Sequence, residues 1–138
     1  MLFHLGRKDE ASVRAAEALE KDPDDNGGIL SSVQALIAAD AGQHRLAEAK
    51  IRTALQAKHT ELYHHGTYFV ACAYARMNRT NEALRWLRYT AEDGFPCYPL
   101  FRSDPNLNAL RSDPRFIRLL DEMKKDWDRR SALARQTP

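Results

Sequence analysis

The chain has 138 residues, a hydrophobic fraction of 43% and a formal net charge of +2 from 21 basic and 19 acidic residues. This length and apolar content suffice for one domain with a buried core. The balanced charge argues against a general nucleic-acid or anionic-membrane binder, which carries a strong basic excess.

Helical signals dominate the chain. Ala, Leu, Arg and Glu are abundant, and no segment alternates apolar and polar residues over a convincing length. The composition therefore predicts an all-α protein. The pattern predicts five helices in the first part of the chain, with Thr80 as the N-cap of the fifth: Lys8–Lys21, Ile29–Ala41, Arg45–Lys58, Leu62–Met77 and Asn81–Glu92.

An internal repeat of 36 residues runs through these helices. Glycine or asparagine at one repeated position fits the left-handed conformation that often ends a helix. Small residues at two other positions let the backbones of paired helices approach closely. Three sets of residues recur at this interval: Gly6, Gly42 and Asn78; Ala11, Ala47 and Ala83; Ala18, Ala54 and Thr90.

These residues and their spacing resemble the tetratricopeptide (TPR) repeat, whose units are antiparallel helix pairs of about 34 residues. The resemblance covers Gly6–Phe95. The sequence departs from the family in its 36-residue period, in Asn78 where Gly is usual, and in His59 and Phe95 where Pro is usual. The resemblance implies an all-α, TPR-like antiparallel helix-pair solenoid with a C-terminal capping helix.

The C-terminal part follows a different pattern. The segments Ser103-Asp104-Pro105 and Ser112-Asp113-Pro114 are near copies, nine residues apart, and both predict helix starts. The first helix is short, with Leu107 and Leu110 facing inward. The second is a longer amphipathic helix that suits the cap of a solenoid, with one apolar face formed by Phe116, Leu119, Leu120, Met123 and Trp127.

We therefore expect TPR-like repeats over residues 1–96, a capping segment over residues 97–130 and a flexible tail over residues 131–138. The block from Ala71 to Leu120 also resembles the terminal repeat and cap of bacterial multidomain TPR proteins. That resemblance implies that the chain is part of a larger bacterial signalling or regulatory protein.

The first repeat is incomplete, because only Met1–Leu5 precede its turn residue Gly6. The first helix then lacks its usual partner. We expect upstream repeats or a second copy of the chain to cover its small apolar face. The residues expected to be partly uncovered are Ala11, Ala15, Ala18 and Leu19.

TPR arrays usually bind extended peptides in a concave groove, and the resemblance implies a groove of this kind here. Arg76 would pair with a carboxylate of the ligand, and Tyr68 would supply contact area. The groove positions that the family pattern implies are Ile29, Ser32, Leu36, Asp40, His65, Tyr68, Cys72 and Arg76.

No catalytic residue, cofactor site or metal site is predicted, so we expect a protein that is not an enzyme. Adjacent His64 and His65 point about 100° apart on a helix, and Cys72 follows two turns later, so one ion cannot bridge them. No sequence feature activates Cys72 as a nucleophile. The run Asp24–Gly27 lacks the distal Glu of a calcium loop and predicts a turn.

Arg85, Arg88 and Tyr89 form a small basic and aromatic patch on the predicted outer face, which suggests RNA binding as a weaker alternative. The near-neutral charge favours a protein or peptide partner instead, or a homodimer, with no nucleic acid and no membrane. Two cysteines make no disulfide framework, and the N-terminus lacks the pattern of a signal peptide, which favours a cytoplasmic location.

Overall fold

A computed structural model describes residues 5–57 and 60–136 of the chain. This part is helical and contains no β-strand, which confirms the predicted all-α class. Short 3₁₀ helices occupy Asn26–Gly28 and Pro105–Leu110. The α-helices are α1 (Lys8–Lys21), α2 (Ile29–Asp40), α3 (His44–Gln56), α4 (Tyr63–Arg76), α5 (Thr80–Glu92), α6 (Tyr98–Ser103) and α7 (Pro114–Ala134).

The five predicted helices are all present, with ends that differ by at most two residues. The predicted end of the third helix at Lys58, and the departure noted at His59, lie outside the described residues. Thr80 was wrong as an N-cap, because it is the first helical residue of α5. Arg79 occupies the cap position and makes no capping hydrogen bond with its side chain. Helix α6 was not predicted.

Two helix pairs share one turn geometry. Gly42 follows α2 with φ of 73°, and Asn78 follows α4 with φ of 58°. Both turns carry the reversed hydrogen bond of a Schellman motif, 2.9 Å from Gln43 N to the Ala38 carbonyl and 2.9 Å from Arg79 N to the Tyr74 carbonyl. The predicted left-handed helix ends are therefore confirmed at both positions.

Small residues at the repeated positions lie inside the core. Ala11, Ala47 and Ala83 are 7%, 0% and 0% exposed, so neighbouring helices meet closely at each of them. The expectation of a partly uncovered first helix was wrong for Ala11 and Ala15, because α1 packs on α2 and buries both. Ala18 and Leu19 are half-buried.

A glycine-lined turn sets the distance between the first and second helix pairs. A Cβ atom on Gly66 of α4 would lie 2.3 Å from the Gly27 carbonyl oxygen, and one on Gly28 would lie 2.2 Å from the Ala54 carbonyl oxygen. The buried carboxylate of Asp25 accepts hydrogen bonds from the backbone N–H groups of Leu30 and Ser31, at 2.7 and 2.9 Å. This turn therefore caps α2 and holds it against α3 and α4.

The segment that follows α5 packs back on α4 through apolar side chains. Phe101, Leu107 and Leu110 are fully buried, as predicted for the two leucines. Burial of three such side chains makes this segment part of the core. The structural reason for its break into α6 and a 3₁₀ helix is Asp104-Pro105, since proline supplies no N–H to continue a helix.

Helix α7 packs on the core with most of its predicted face. Phe116, Leu119 and Met123 are buried, and Leu120 is half-buried. Trp127 departs from the prediction, because it remains 41% exposed beyond the end of the core. The helix continues to Ala134, four residues into the segment predicted as a flexible tail.

Helices α5 and α7 run side by side in the same direction. Arg115 of α7 donates a hydrogen bond to Asn81 of α5 at 2.8 Å, and Arg88 of α5 contacts Glu122 of α7 at 3.0 Å. Both contacts join residues 34 positions apart, so the two helices keep the same register from one contact to the next. Within residues 98–134, the 3₁₀ helix packs on α4, and α7 packs on α6 and contacts α5.

Candidate functional site

The residues predicted to line a groove lie on α2 and α4, and burial divides them into two groups of four. Ser32, Leu36, Tyr68 and Cys72 are at most 3% exposed. The others retain contact with solvent. This second group comprises the half-buried Ile29, Asp40 and His65 and the exposed Arg76. Their role in binding a partner stays a prediction.

The accessible members lie at the two ends of the helix pair. Asp40 ends α2 and Arg76 ends α4, and their charged groups approach to 3.4 Å. Lys8 of α1 also pairs with Asp40. Ile29 and His65 lie 11 residues earlier on each helix, which is roughly 16 Å along the axis. The predicted surface therefore has a charged end and a separate end that carries an imidazole.

A buried polar contact lies between these ends. The Tyr68 hydroxyl donates a hydrogen bond to Asp104 Oδ2 at 2.6 Å, and Cys72 Sγ lies 3.9 Å from the same oxygen. Burial, with the neighbouring Cys72 and Asp104, raises the pKa of Tyr68 far above its ordinary value. Burial, followed by the Asp104 charge, also raises the pKa of Cys72, so its thiol stays protonated and unreactive.

The same polar cluster extends to the helix ends through side-chain amides and arginines. Arg76 Nε donates to Asn106 Oδ1 at 3.0 Å, and Asn106 N donates to Asp104 Oδ1 at 2.9 Å. Arg111 donates to the carbonyl oxygens of Phe101 and Asp104, at 3.1 and 2.8 Å. The buried groove positions Tyr68 and Cys72 are therefore covered by residues 98–111 of the same chain.

The sequence interpretation missed Asp104 and Asn106 as partners of α4, because it treated Asp104 only as a helix cap. A usable signal was present in the apolar residues of the same segment. Phe101, Leu107 and Leu110 are too many large apolar side chains for an exposed connection. They indicated that this segment covers a neighbouring helix.

His64 and His65 belong to an aromatic cluster with Phe95. The ring centres of His65 and Phe95 are 4.7 Å apart, and those of His64 and Phe95 are 5.7 Å apart and stacked. Burial, followed by the neighbouring His64, lowers the pKa of His65. Among the described residues, no three His, Cys, Asp or Glu side chains are grouped as a metal site requires.

In the part of the chain that the structure describes, no helix combines the length and apolar character needed to cross a bilayer.

Comparisons with known proteins give a partial likeness. The chain is 31% identical over 67 residues to a chloroplastic protein of Arabidopsis thaliana. The aligned part is 49% of this chain and 20% of that protein, so the chain spans about a fifth of its relative's length. No protein-family model matches the sequence. No solved structure matches it at a significant level.

Proposed function

We propose that this chain is a non-catalytic protein–protein interaction module, a TPR-like helical scaffold that binds a peptide or partner protein. The repeated register carries this proposal. Asp40 pairs with Arg76 and Tyr68 pairs with Asp104, and both contacts join residues 36 positions apart. Regularly stacked helix pairs offer a rigid surface, which reduces the ordering entropy lost on binding.

The partner would contact the accessible members of the predicted groove. Arg76 is the strongest candidate, because an exposed guanidinium binds a carboxylate with two parallel hydrogen bonds. Its contact with Asp40 at 3.4 Å is long for an ion pair, so a ligand carboxylate competes with it readily. The buried members Ser32, Leu36, Tyr68 and Cys72 would keep α2 and α4 at a set spacing.

The buried polar chemistry supports a structural role. A raised pKa keeps the Cys72 thiol protonated, and the Tyr68 hydroxyl is held by Asp104. Neither group has the lowered pKa or the free position that a nucleophile or general base requires. Membership of a larger bacterial signalling or regulatory protein stays a prediction.

Selection from a random peptide library on the purified chain tests this proposal. The selected peptides are then measured against Arg76→Glu and against Arg52→Glu, a matched charge change at an exposed position of α3. We expect Arg76→Glu to weaken binding at least tenfold and Arg52→Glu to leave it within twofold. Equal binding to both variants, or no selected peptide, would contradict the proposed surface.

Self-association is a second candidate, favoured by the exposed apolar side chains at the N-terminal end. Leu5 is 70% exposed, Val13 on α1 is 56% exposed, and Leu19 on α1 is half-buried. A second chain that packs on α1 would cover them. Sedimentation velocity over a range of concentrations should then show a dimer that Val13→Glu abolishes. Ile117→Glu on α7, at 46% exposure, is the control that should leave the dimer unchanged.

A further inference from the structure

A groove of about 540 Å³ lies on the surface formed by α5 and α7. The contacts Arg115–Asn81 and Arg88–Glu122 join the two helices, and they are seven residues apart along each helix. Seven residues of α-helix span about 10 Å. The groove therefore has a central section about 10 Å long with a polar contact at each end.

Positive charge dominates the lining of this groove. Its charged lining residues are Arg85, Arg88, Arg115 and Arg118, with Glu92 as the single acidic one. The lining thus carries a formal surplus of three positive charges, whereas the whole chain carries only +2. All four arginines are exposed. The near-neutral total therefore conceals one strongly basic surface.

Neither arginine of the central section forms a close ion pair within the described residues, although the carboxylate of Glu82, one turn before Arg85 on α5, interacts with the Arg85 charge. Arg118 makes no ion pair or hydrogen bond to any of the described residues. Arg85 forms no ion pair there, and its guanidinium carbon lies 5.4 Å from the centre of the Trp86 ring. Both guanidinium groups keep free donors, and the fork of donors on arginine matches a carboxylate.

The arginines at the ends of the groove are paired, although weakly. Arg88 contacts Glu122 at 3.0 Å and Glu92 at 3.7 Å, and Arg115 contacts Asp113 at 2.8 Å. Exposed ion pairs of this kind contribute little to stability, so Arg88 can turn toward a ligand. Arg115 is held in place by Asp113 and Asn81.

The floor of the groove is apolar. Leu84 and Leu119 are 9% and 4% exposed, and the half-buried Tyr89 lies beside them. An apolar side chain of a ligand can pack there between the arginines. This combination of an apolar floor and basic walls suits an amphipathic ligand better than a free anion.

The acidic residues around the groove distinguish a peptide from a nucleic acid. Glu92 and Glu122 lie at one end and Asp113 at the other. A nucleic acid carries a charge at every phosphate and would meet these carboxylates on leaving the central section. A peptide can place its carboxylates within that section alone. At about 3.3 Å per extended residue, three residues fill 10 Å.

From these observations we propose that the α5–α7 groove binds a short acidic segment of a partner protein. Two carboxylates of the segment, separated by one residue, pair with Arg85 and Arg118. An apolar side chain between or beside these two residues packs on Leu84 and Leu119. This surface is separate from the α2–α4 surface, so the proposal does not depend on the binding site proposed above.

Fluorescence anisotropy with the full chain tests the proposal. The probes are dye-labelled decapeptides with a central leucine and two carboxylates separated by one, two or three residues. Matched probes replace each Asp and Glu with Asn and Gln, and a ten-nucleotide single-stranded DNA represents nucleic acid. We expect the acidic peptide with the shortest spacing to bind, with an affinity that falls as salt is added.

The variant Arg85→Glu with Arg118→Glu should weaken that binding at least tenfold. The control pair Arg14→Glu with Arg52→Glu makes the same charge change at exposed positions of α1 and α3, and should change it less than twofold. Circular dichroism confirms that both variants are folded. The proposal would be overturned by equal effects of the two pairs, by equal binding of the amide peptides, or by no measurable binding of any acidic peptide. Tighter binding of the DNA would also overturn it.

Discussion

The two Ser-Asp-Pro segments are identical in sequence and alike in local structure, yet they lie in different surroundings. In each, the aspartate accepts a hydrogen bond from the backbone N–H two residues later, at 2.9 Å for Asp104 and 2.8 Å for Asp113. Asp104 is 2% exposed and faces α4, whereas Asp113 is partly exposed beside Arg115 of its own helix.

The second carboxylate oxygen makes the difference. Asp104 Oδ2 accepts the Tyr68 hydroxyl at 2.6 Å and so ties residues 98–110 to α4. Asp113 Oδ2 accepts from Arg115 at 2.8 Å, two residues away. One aspartate therefore caps a helix and joins two parts of the fold, while the other only caps. The same three residues have a tertiary role in one place and a local role in the other.

Asp104→Ala should have the largest effect. It removes the cap and the buried carboxylate that accepts hydrogen bonds from the Tyr68 hydroxyl and the Asn106 N–H. We expect the free energy of unfolding to fall by about 3 to 5 kcal/mol, measured by urea denaturation. Asp104→Asn, which retains an acceptor oxygen, should cost less. A loss below about 1 kcal/mol for Asp104→Ala would show that the two segments are equivalent after all.

Tyr68→Phe should have the next largest effect, because it removes only the hydroxyl that distinguishes Asp104 from Asp113. We expect a loss of about 2 kcal/mol, since hydrogen bonds to charged groups are stronger than neutral ones. Tyr74→Phe, at a half-buried tyrosine with no hydrogen bond to its hydroxyl among the described residues, is the control. An equal effect of the two substitutions would assign the loss to something other than the Asp104 contact.

Asp113→Ala should cost less than Tyr68→Phe, because the Asp113 side chain retains contact with water and, among the described residues, bonds only within α7. Urea denaturation of this variant gives the midpoint of its unfolding transition, which is compared with that of the other variants. Pro114 still favours the helix start when the cap is lost. A midpoint shift as large as that of Asp104→Ala would break the distinction between the local and the tertiary cap.

The smallest effect is the pH dependence of the Asp113 contribution. Hydrogen bonds from Arg115 lower the pKa of this carboxyl to about 2, below the value of about 3.9 in an unfolded chain. Its stabilisation is complete above the unfolded value and is lost as the pH falls through about 2. The difference in the free energy of unfolding between wild type and Asp113→Ala should therefore be constant from pH 7 to about pH 5. It should be largely lost near pH 2. A difference that keeps its full size at pH 2 would contradict the ionic origin.

Parts of the candidate surface followed from the repeat. The resemblance to the TPR family placed Asp40 and Arg76 among the groove positions, and their charged groups approach to 3.4 Å. The burial of Tyr68 and Cys72 under residues 98–110 was not predicted. The repeat pattern fades after Thr90, and Asp104-Pro105 interrupts the helical signal, so the two helices predicted in this segment were read as a cap and not as a cover over α4.

Local sequence was enough to specify every α-helix except α6, the left-handed ends at Gly42 and Asn78, and the caps at Asp104 and Asp113. These features depend on backbone preferences and on hydrogen bonds to neighbouring residues, which a short stretch of sequence contains. Packing of the helices was needed to bury Asp104 on α4, to leave Trp127 exposed, and to gather four arginines along one groove between α5 and α7. Burial and charge density depend on which surfaces meet, and residues 34 or 36 positions apart meet only when the helices are packed.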